Sequence, residues 1–597
     1  MLNLLQKNVF NSFDLKEVFA KVIQIYGINE VTEERKKYFD ETIDKFGYLP
    51  YPHYKALEEL TDGEVVYCLT KILENEGVYK NSKLTNCANP SVLNRRKIKN
   101  SDWFKKEGHN IKLLSLSALG NGNISDKCAT FIQWLAQVIC LPKGNKSLNI
   151  LADTIYLLPF HPREFGCAYL PTSSEISSKT EDEKLLKFLG LRAKEQVQLF
   201  IALAQLAGHP VIYDILPQTG RFSKIILSNP YAARWSNIKD LTEKYIEALN
   251  KIVDDIKTSC KYEDYIVESV RNKYIEILKG SNEFYREEEK PVLDTIELYM
   301  KEIKIKISNE ASLKAAQDEL VKKASSIIEA VNGKKISKEE DITCQKDIIN
   351  ALIQEGFWPL PGGAWCSSGV PVFDKMNENR EYPIYKHYNY KGEDVSRFAN
   401  LDCQTPYYFV CLENGKYNDK VIDFYLNYTS KLQKDFNFDG FRVDHIDHIT
   451  DNLSEQNGRP ISYRIPRKVL GKVNSNLKKN VPYFATLAEY MLWDDFYKEY
   501  HKDMNFDLLW GNDIVSQSSK TPKQIIKDNK TLEDYNFQNG KQNPLSILKT
   551  YNNQDGEFEA IDRYPGQLGE MGALFKWFKY KFLPGGQYAN KFHPNGN

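Results

Sequence analysis

No stretch of this chain approaches the run of about eighteen apolar residues that a membrane-spanning helix needs. Neither sign of charge predominates: 80 Lys and Arg stand against 80 Asp and Glu, for a formal net charge of zero. A general binder of nucleic acid or of anionic membranes carries a basic excess, so both partner classes are set aside. The ten cysteines include no CxxC pair, and no Cys/His cluster has zinc spacing. They read as reduced, mostly buried thiols. The first residues, MLNLLQKNVFNSFDLKE, lack the cationic and then apolar regions of a secretory signal. These absences point to a cytoplasmic globular protein. The 42% apolar and 27% charged content is ordinary for that class. The 36 Tyr and 30 Phe supply either large cores or sugar-stacking surface. A length of 597 residues allows about two to four domains.

Residues 1–105 read as helical, with apolar positions at helical spacing in DLKEVFAKVIQIYG (14–27) and EVVYCLTKILENEGVY (64–79). From about residue 106 the rhythm becomes strand, helix, strand. The runs 111–119, 152–160 and 210–217 are short and apolar, as buried parallel strands are. Amphipathic stretches at 126–140 and 191–208 supply the crossover helices. Residues 223–399 interrupt this pattern. Their first part is helical and highly charged, and reads either as a coiled-coil-like lid or as a solvated excursion. Their second part is irregular and rich in Gly, Pro and Tyr. The rhythm resumes in 400–597, with helices expected at 417–436, 466–480 and 567–580 and strands at 482–491, 504–513, 546–558 and 581–588.

Several of these strands end in charge. Asp214 closes one; Arg442 and Asp444, two apart and so on one face, close another. Glu489 and Asp555 follow at the ends of two more. Unpaired charge on an interior face is costly, so such residues need a reason. In a parallel α/β barrel the C-terminal strand ends are where catalytic side chains collect.

The sequence Gly440-Phe441-Arg442-Val443-Asp444, with His448 four residues on, resembles the fourth-strand motif of the α-amylase superfamily (glycoside hydrolase family 13). YDILPQT (213–219), LAEY (487–490) and NNQD (552–555) resemble the third-, fifth- and seventh-strand motifs in the same order, over roughly 110–222 and 398–597. The resemblance implies a (β/α)8 barrel in two parts, 106–222 and 400–597. A large insertion after the third strand would occupy 223–399, and an N-terminal helical domain 1–105. It implies Asp444 as nucleophile, Glu489 as acid/base and Asp555 as a third catalytic carboxylate. Asp214, Arg442, His448, Gln554 and His161 would contact or orient the sugar, although His161 reads equally well as a satisfied loop histidine. Glu489, in an apolar run, is expected to favour its protonated form. The implied partner is an α-glucan or maltooligosaccharide, with no cofactor.

The chain departs from the family pattern. Gln218 and Thr219 stand where an Asn-His pair is usual, and Gln554 where a His precedes the seventh-strand Asp. Two sugar-binding imidazoles and a usual calcium ligand are therefore missing, and no metal is expected. Such changes suit a narrowed hydrolase, a glucanotransferase, or a degenerate barrel that binds or scaffolds carbohydrate without turnover. A helical interaction protein built on 237–356 is a third reading.

Overall fold

The computed structural model describes residues 13–550 with breaks, the longest being 117–129, 278–307, 333–356, 360–372, 445–466 and 490–503. Its centre is a seven-stranded sheet: β1 (Ile111–Leu114), β2 (Thr154–Leu157), β3 (Val211–Ile215), β4 (Gly440–Val443), β5 (Ala485–Glu489), β6 (Leu508–Asp513) and β7 (Ser546–Thr550). Spatial order follows chain order from β1 to β7, and every neighbouring pair is parallel. A doubly wound sheet would contain a reversal of order; this one has none. Every residue of β2, β3 and β4 is buried, as expected of parallel strands covered on both faces. The expected eighth strand at 581–588 and the helix before it lie outside the described residues.

Side chains alternate between two separate cores. Ile155, Leu157, Tyr213, Ile215, Phe441, Val443, Ala488 and Leu509 face outward, in one cluster with the helices Phe131–Ile139, Ala193–Leu206, Asp419–Phe436 and Arg467–Asn480. Tyr156, Leu158, Ile212, Ala485, Leu487 and Leu508 face inward, in a second cluster. The sheet is rolled around this second cluster. Tyr156 on β2 meets Trp510 on β6 edge to face, with ring centroids 5.6 Å apart. In a flat sheet, strands four places apart would be separated by about 19 Å.

The N-terminal helices Leu15–Ile25, Glu33–Phe46 and Asp62–Asn75 bury Phe19, Val22, Phe39 and Leu69 in the same core as the outer face of the sheet. The segment that follows packs into the rolled sheet near the N-terminal ends of its strands. Val92, Leu93, Trp103 and Phe104 join the inward-facing cluster, and Trp103 Nε1 donates to the Tyr483 carbonyl (2.7 Å) just before β5. Ser91 Oγ donates to Asp439, and Ser101 Oγ to Asp507 (2.6 Å). In the insertion, helices Ile238–Ser259 and Glu310–Asn332 pack together over Leu249, Val253, Leu313 and Ala316, with Gln317 bonded to Asn250 (2.7 Å).

Candidate active site

The approach to β4 is tightly fixed. Helix Asp419–Phe436 ends on Asn437 in the left-handed region (φ 55°), a conformation Asn tolerates better than most residues. The Asn437 amide donates to Gln205 Oε1 (3.1 Å). The buried Asp439 carboxylate then accepts from the Val211 backbone and from Gln205 Nε2 (both 2.9 Å). At Gly440 the strands come so close that a Cβ would lie 2.6 Å from the Ala485 carbonyl oxygen, so the position requires glycine. From there the pleat turns Phe441 and Val443 outward and Arg442 inward, and Asp444 follows at the strand end.

Arg442 is fully buried and gathers three carboxylates from three adjacent strands. Its Cα is the register partner of Asp214 on β3 and of Leu487 on β5. Nη1 donates to both oxygens of Asp214 (2.9 and 3.0 Å) and to Asp444 Oδ1 (2.5 Å). Nη2 lies 2.7 Å from Glu489 Oε1, as an ion pair without the alignment of a hydrogen bond. The guanidinium also lies beside two rings, with Cζ 5.9 Å from the centroid of Tyr169 and 5.5 Å from that of Trp510. Asp214 accepts from the phenols of Tyr156 (2.6 Å) and Tyr169 (2.8 Å). Asp444 is 2% exposed, and its second oxygen, Oδ2, accepts from Gln218 Nε2.

Burial raises the Asp214 carboxyl above its ordinary value, against the opposing pull of Arg442 and the two phenols. Burial alone would lower the guanidinium of Arg442, but Asp214, Glu489 and Asp444 around it carry it the other way, so it is a fixed cation. Burial and the nearby Asp214 push Tyr156 and Tyr169 well up, so both remain neutral donors. The cluster is therefore one permanent cation among three carboxyl groups, anchored on one side by phenols. Glu489 is the most open member, with its side chain 21% exposed. Its side chain pairs with Arg442, and its register partner on β6 is Trp510.

Four of the residues singled out in the sequence thus come together: Asp214, Arg442, Asp444 and Glu489. His161 does not join them. Its ring lies on the outer side of the sheet against Phe160 and Tyr213, with Nδ1 at 2.8 Å from the Glu175 carbonyl and Nε2 at 3.4 Å from the Tyr428 hydroxyl. Burial pulls it down to about 4, so it is a neutral ring bonded within the protein. The ring is thus bonded within the protein on both nitrogens, apart from the Arg442 cluster. His448, Gln554 and Asp555 lie outside the described residues. Four further members of the cluster were not marked in the sequence as site residues: Tyr156, Tyr169, Gln218 and Trp510. Gln218 stood out only as a departure from a motif, and the three rings carry no motif at all.

No family profile and no curated protein matches this sequence. Among solved structures, it is similar to an α-amylase from Geobacillus thermoleovorans crystallised with acarbose, at 9% identity over 68% of this chain and 52% of that one, with a TM-score of 0.28. It is also similar to a trehalose-6-phosphate hydrolase from Bacillus licheniformis, at 11% identity, 73% and 55% coverage and a TM-score of 0.35. A maltogenic α-amylase from Thermotoga neapolitana matches at 11% identity, 72% and 56% coverage and a TM-score of 0.28. The chain spans little more than half the length of these structures.

Proposed function

We propose that this chain is a divergent member of the α-amylase superfamily that cleaves or transfers α-glucosidic bonds with retention of configuration. The observation that carries the reading is the Arg442 guanidinium, which joins Asp214, Asp444 and Glu489 at the C-terminal ends of three consecutive parallel strands. Retention by double displacement needs two carboxyl groups roughly 5–5.5 Å apart. Two carboxylates held on the two ends of one guanidinium suit that need.

In the first step an oxygen of Asp444 bonds to the anomeric carbon as the glycosidic C–O bond breaks. The departing oxygen takes the bond's electron pair and a proton from Glu489. In the second step water, or the hydroxyl of another sugar, gives its proton to Glu489 and bonds to the anomeric carbon, releasing Asp444. The surplus of carboxyl groups over cations suits the positive charge that develops on the sugar between these states. Arg442 and Asp214 keep Asp444 oriented, and the partly exposed Trp510 offers ring surface beside the reacting sugar. Asp555, His448 and Gln554 complete the sugar contacts in this reading. The substrate class, an α-glucan or maltooligosaccharide, rests on the resemblance of the GFRVD segment.

The test is to incubate the protein with maltooligosaccharides and glycogen and to separate the products. Shortened chains mean hydrolysis; chains both shorter and longer than the substrate mean transfer. Asp444→Asn, shown to be folded by circular dichroism, is expected to abolish both. Turnover that survives this change would remove Asp444 as the nucleophile, and glucan binding without turnover in the unaltered protein would make the barrel a binding module.

A further inference from the structure

Both oxygens of Asp444 already have partners. Oδ1 is held by Arg442, a charged donor fixed in turn by both oxygens of Asp214. Oδ2 is held by the side-chain amide of Gln218. A carboxylate only accepts, so the amide must face it with its NH2 group. Gln218 is buried, and its backbone is clamped from two sides. Gln218–Gly220 forms an antiparallel ribbon with Gln404–Pro406, in which Gln218 is the register partner of Pro406. The Tyr407 N–H donates to the Pro217 carbonyl (3.0 Å). The next residue, Thr219, bonds through Oγ1 to the Pro171 carbonyl (2.9 Å) and to Ser223 Oγ (2.7 Å). A side chain on so fixed a backbone is a rigid strut between the end of β3 and the end of β4.

We propose that Gln218 is a positioning residue for the nucleophile: with Arg442 it sets the plane of the Asp444 carboxylate and holds Oδ2, the oxygen that attacks. The inference rests on the proposed retaining mechanism. A neutral amide is a weaker donor than an anchored guanidinium. Oδ2 is therefore the oxygen that leaves its partner for the anomeric carbon, while Oδ1 stays on Arg442 and becomes the carbonyl oxygen of the glycosyl ester. The departure of Gln218 and Thr219 from the usual Asn-His pair is then, at its first position, the gain of a support for the nucleophile.

The experiment compares the unaltered protein with Asp444→Asn, Gln218→Ala and Gln218→Glu on a maltooligosaccharide. It also follows covalent labelling by a fluorinated maltosyl fluoride in a mass spectrometer. Gln218→Ala is expected to lower kcat and the labelling rate about 10- to 100-fold, the scale for a reacting group out of position, with KM changed less than about threefold. Gln218→Glu keeps the size of the side chain, but only its protonated carboxyl can donate to Asp444. Its activity relative to the unaltered protein is expected to rise as pH falls. Activity in Gln218→Ala within about threefold of the unaltered protein, or a Gln218→Glu ratio flat in pH, overturns the role of Gln218 alone. An unaltered protein without turnover, or an active Asp444→Asn, overturns the proposed reaction and this inference with it.

Discussion

Nη1 of Arg442 sits 2.9 Å and 3.0 Å from the two carboxylate oxygens of Asp214, a residue 228 positions earlier and its register partner on the adjacent strand. Both side chains are fully buried. Removing one member of such a pair leaves an uncompensated charge, which costs about 3–5 kcal/mol. Arg442→Met is expected to lose stability on that scale in urea denaturation, and Asp214→Asn combined with Arg442→Met to recover part of it. A loss below about 1 kcal/mol in the single variant would mean that the barrel top does not depend on this pair.

Glu489 lies against Arg442 in the resting site, yet the proposed reaction asks it to give up a proton. In the proposed reaction that proton goes to the sugar's leaving oxygen. Glu489→Gln is expected to slow glucan cleavage about 10²- to 10⁴-fold, the usual contribution of a positioned acid and base. Formation of the glycosyl ester from maltosyl fluoride, whose leaving group needs no proton, should be affected far less. Equal losses on both substrates would remove Glu489 as the acid.

Below the sheet, burial raises Asp439 from an ordinary value near 3.8 to about 6, although Ser91, the Val211 N–H and Gln205 all donate to it. Between these values the folded chain holds a proton that the unfolded chain has lost. This group's contribution is therefore complete below about pH 4 and is lost as pH rises through about 6. The buried rings of His161 and His209, both lowered to about 4, act in the opposite sense over pH 4 to 6.5. Comparing Asp439→Asn with the unaltered protein isolates the first effect. The variant is expected to gain on the order of 3 kcal/mol relative to the unaltered protein between pH 4 and pH 7. A difference constant over that range would show that Asp439 does not titrate there.

Trp103 lies in the inward-facing cluster and donates to the Tyr483 carbonyl just before β5. Trp103→Ala is expected to cost about 3–5 kcal/mol, as a large aromatic lost from a core does. The readout is the denaturation midpoint. A cost below about 1 kcal/mol would mean that the 92–106 segment only rests against the barrel.

The seven described strands, three of them with charged ends, were legible because each is a local pattern: a short apolar run, a pleat that alternates, and Arg442 two residues from Asp444. The site's supports were not. Tyr156 and Trp510 lie on strands four places apart, and only the rolled sheet brings their rings together. Gln218 looked like a lost motif residue, because a sequence displays the Asn that is missing but not the carboxylate that its replacement touches. The place of the 91–106 segment was equally hidden. Ser91 meets Asp439 across 348 residues and Ser101 meets Asp507 across 406, separations that no local pattern encodes. Glu489 closes β5 where its apolar run suggested a strand end, but its ion pair with Arg442 on the next strand is a contact that no local pattern shows.

The insertion between β3 and β4 also has a cost in time. Roughly 220 residues separate Ile215, the last residue of β3, from Gly440, the first of its partner strand β4. At about 5–20 residues per second, a ribosome needs on the order of ten to forty seconds to supply that partner. For that interval the newborn β3 has one open edge of backbone groups, already carrying Asp214 but without Arg442. An edge left unpaired in this way is open to pairing with another chain until β4 is made.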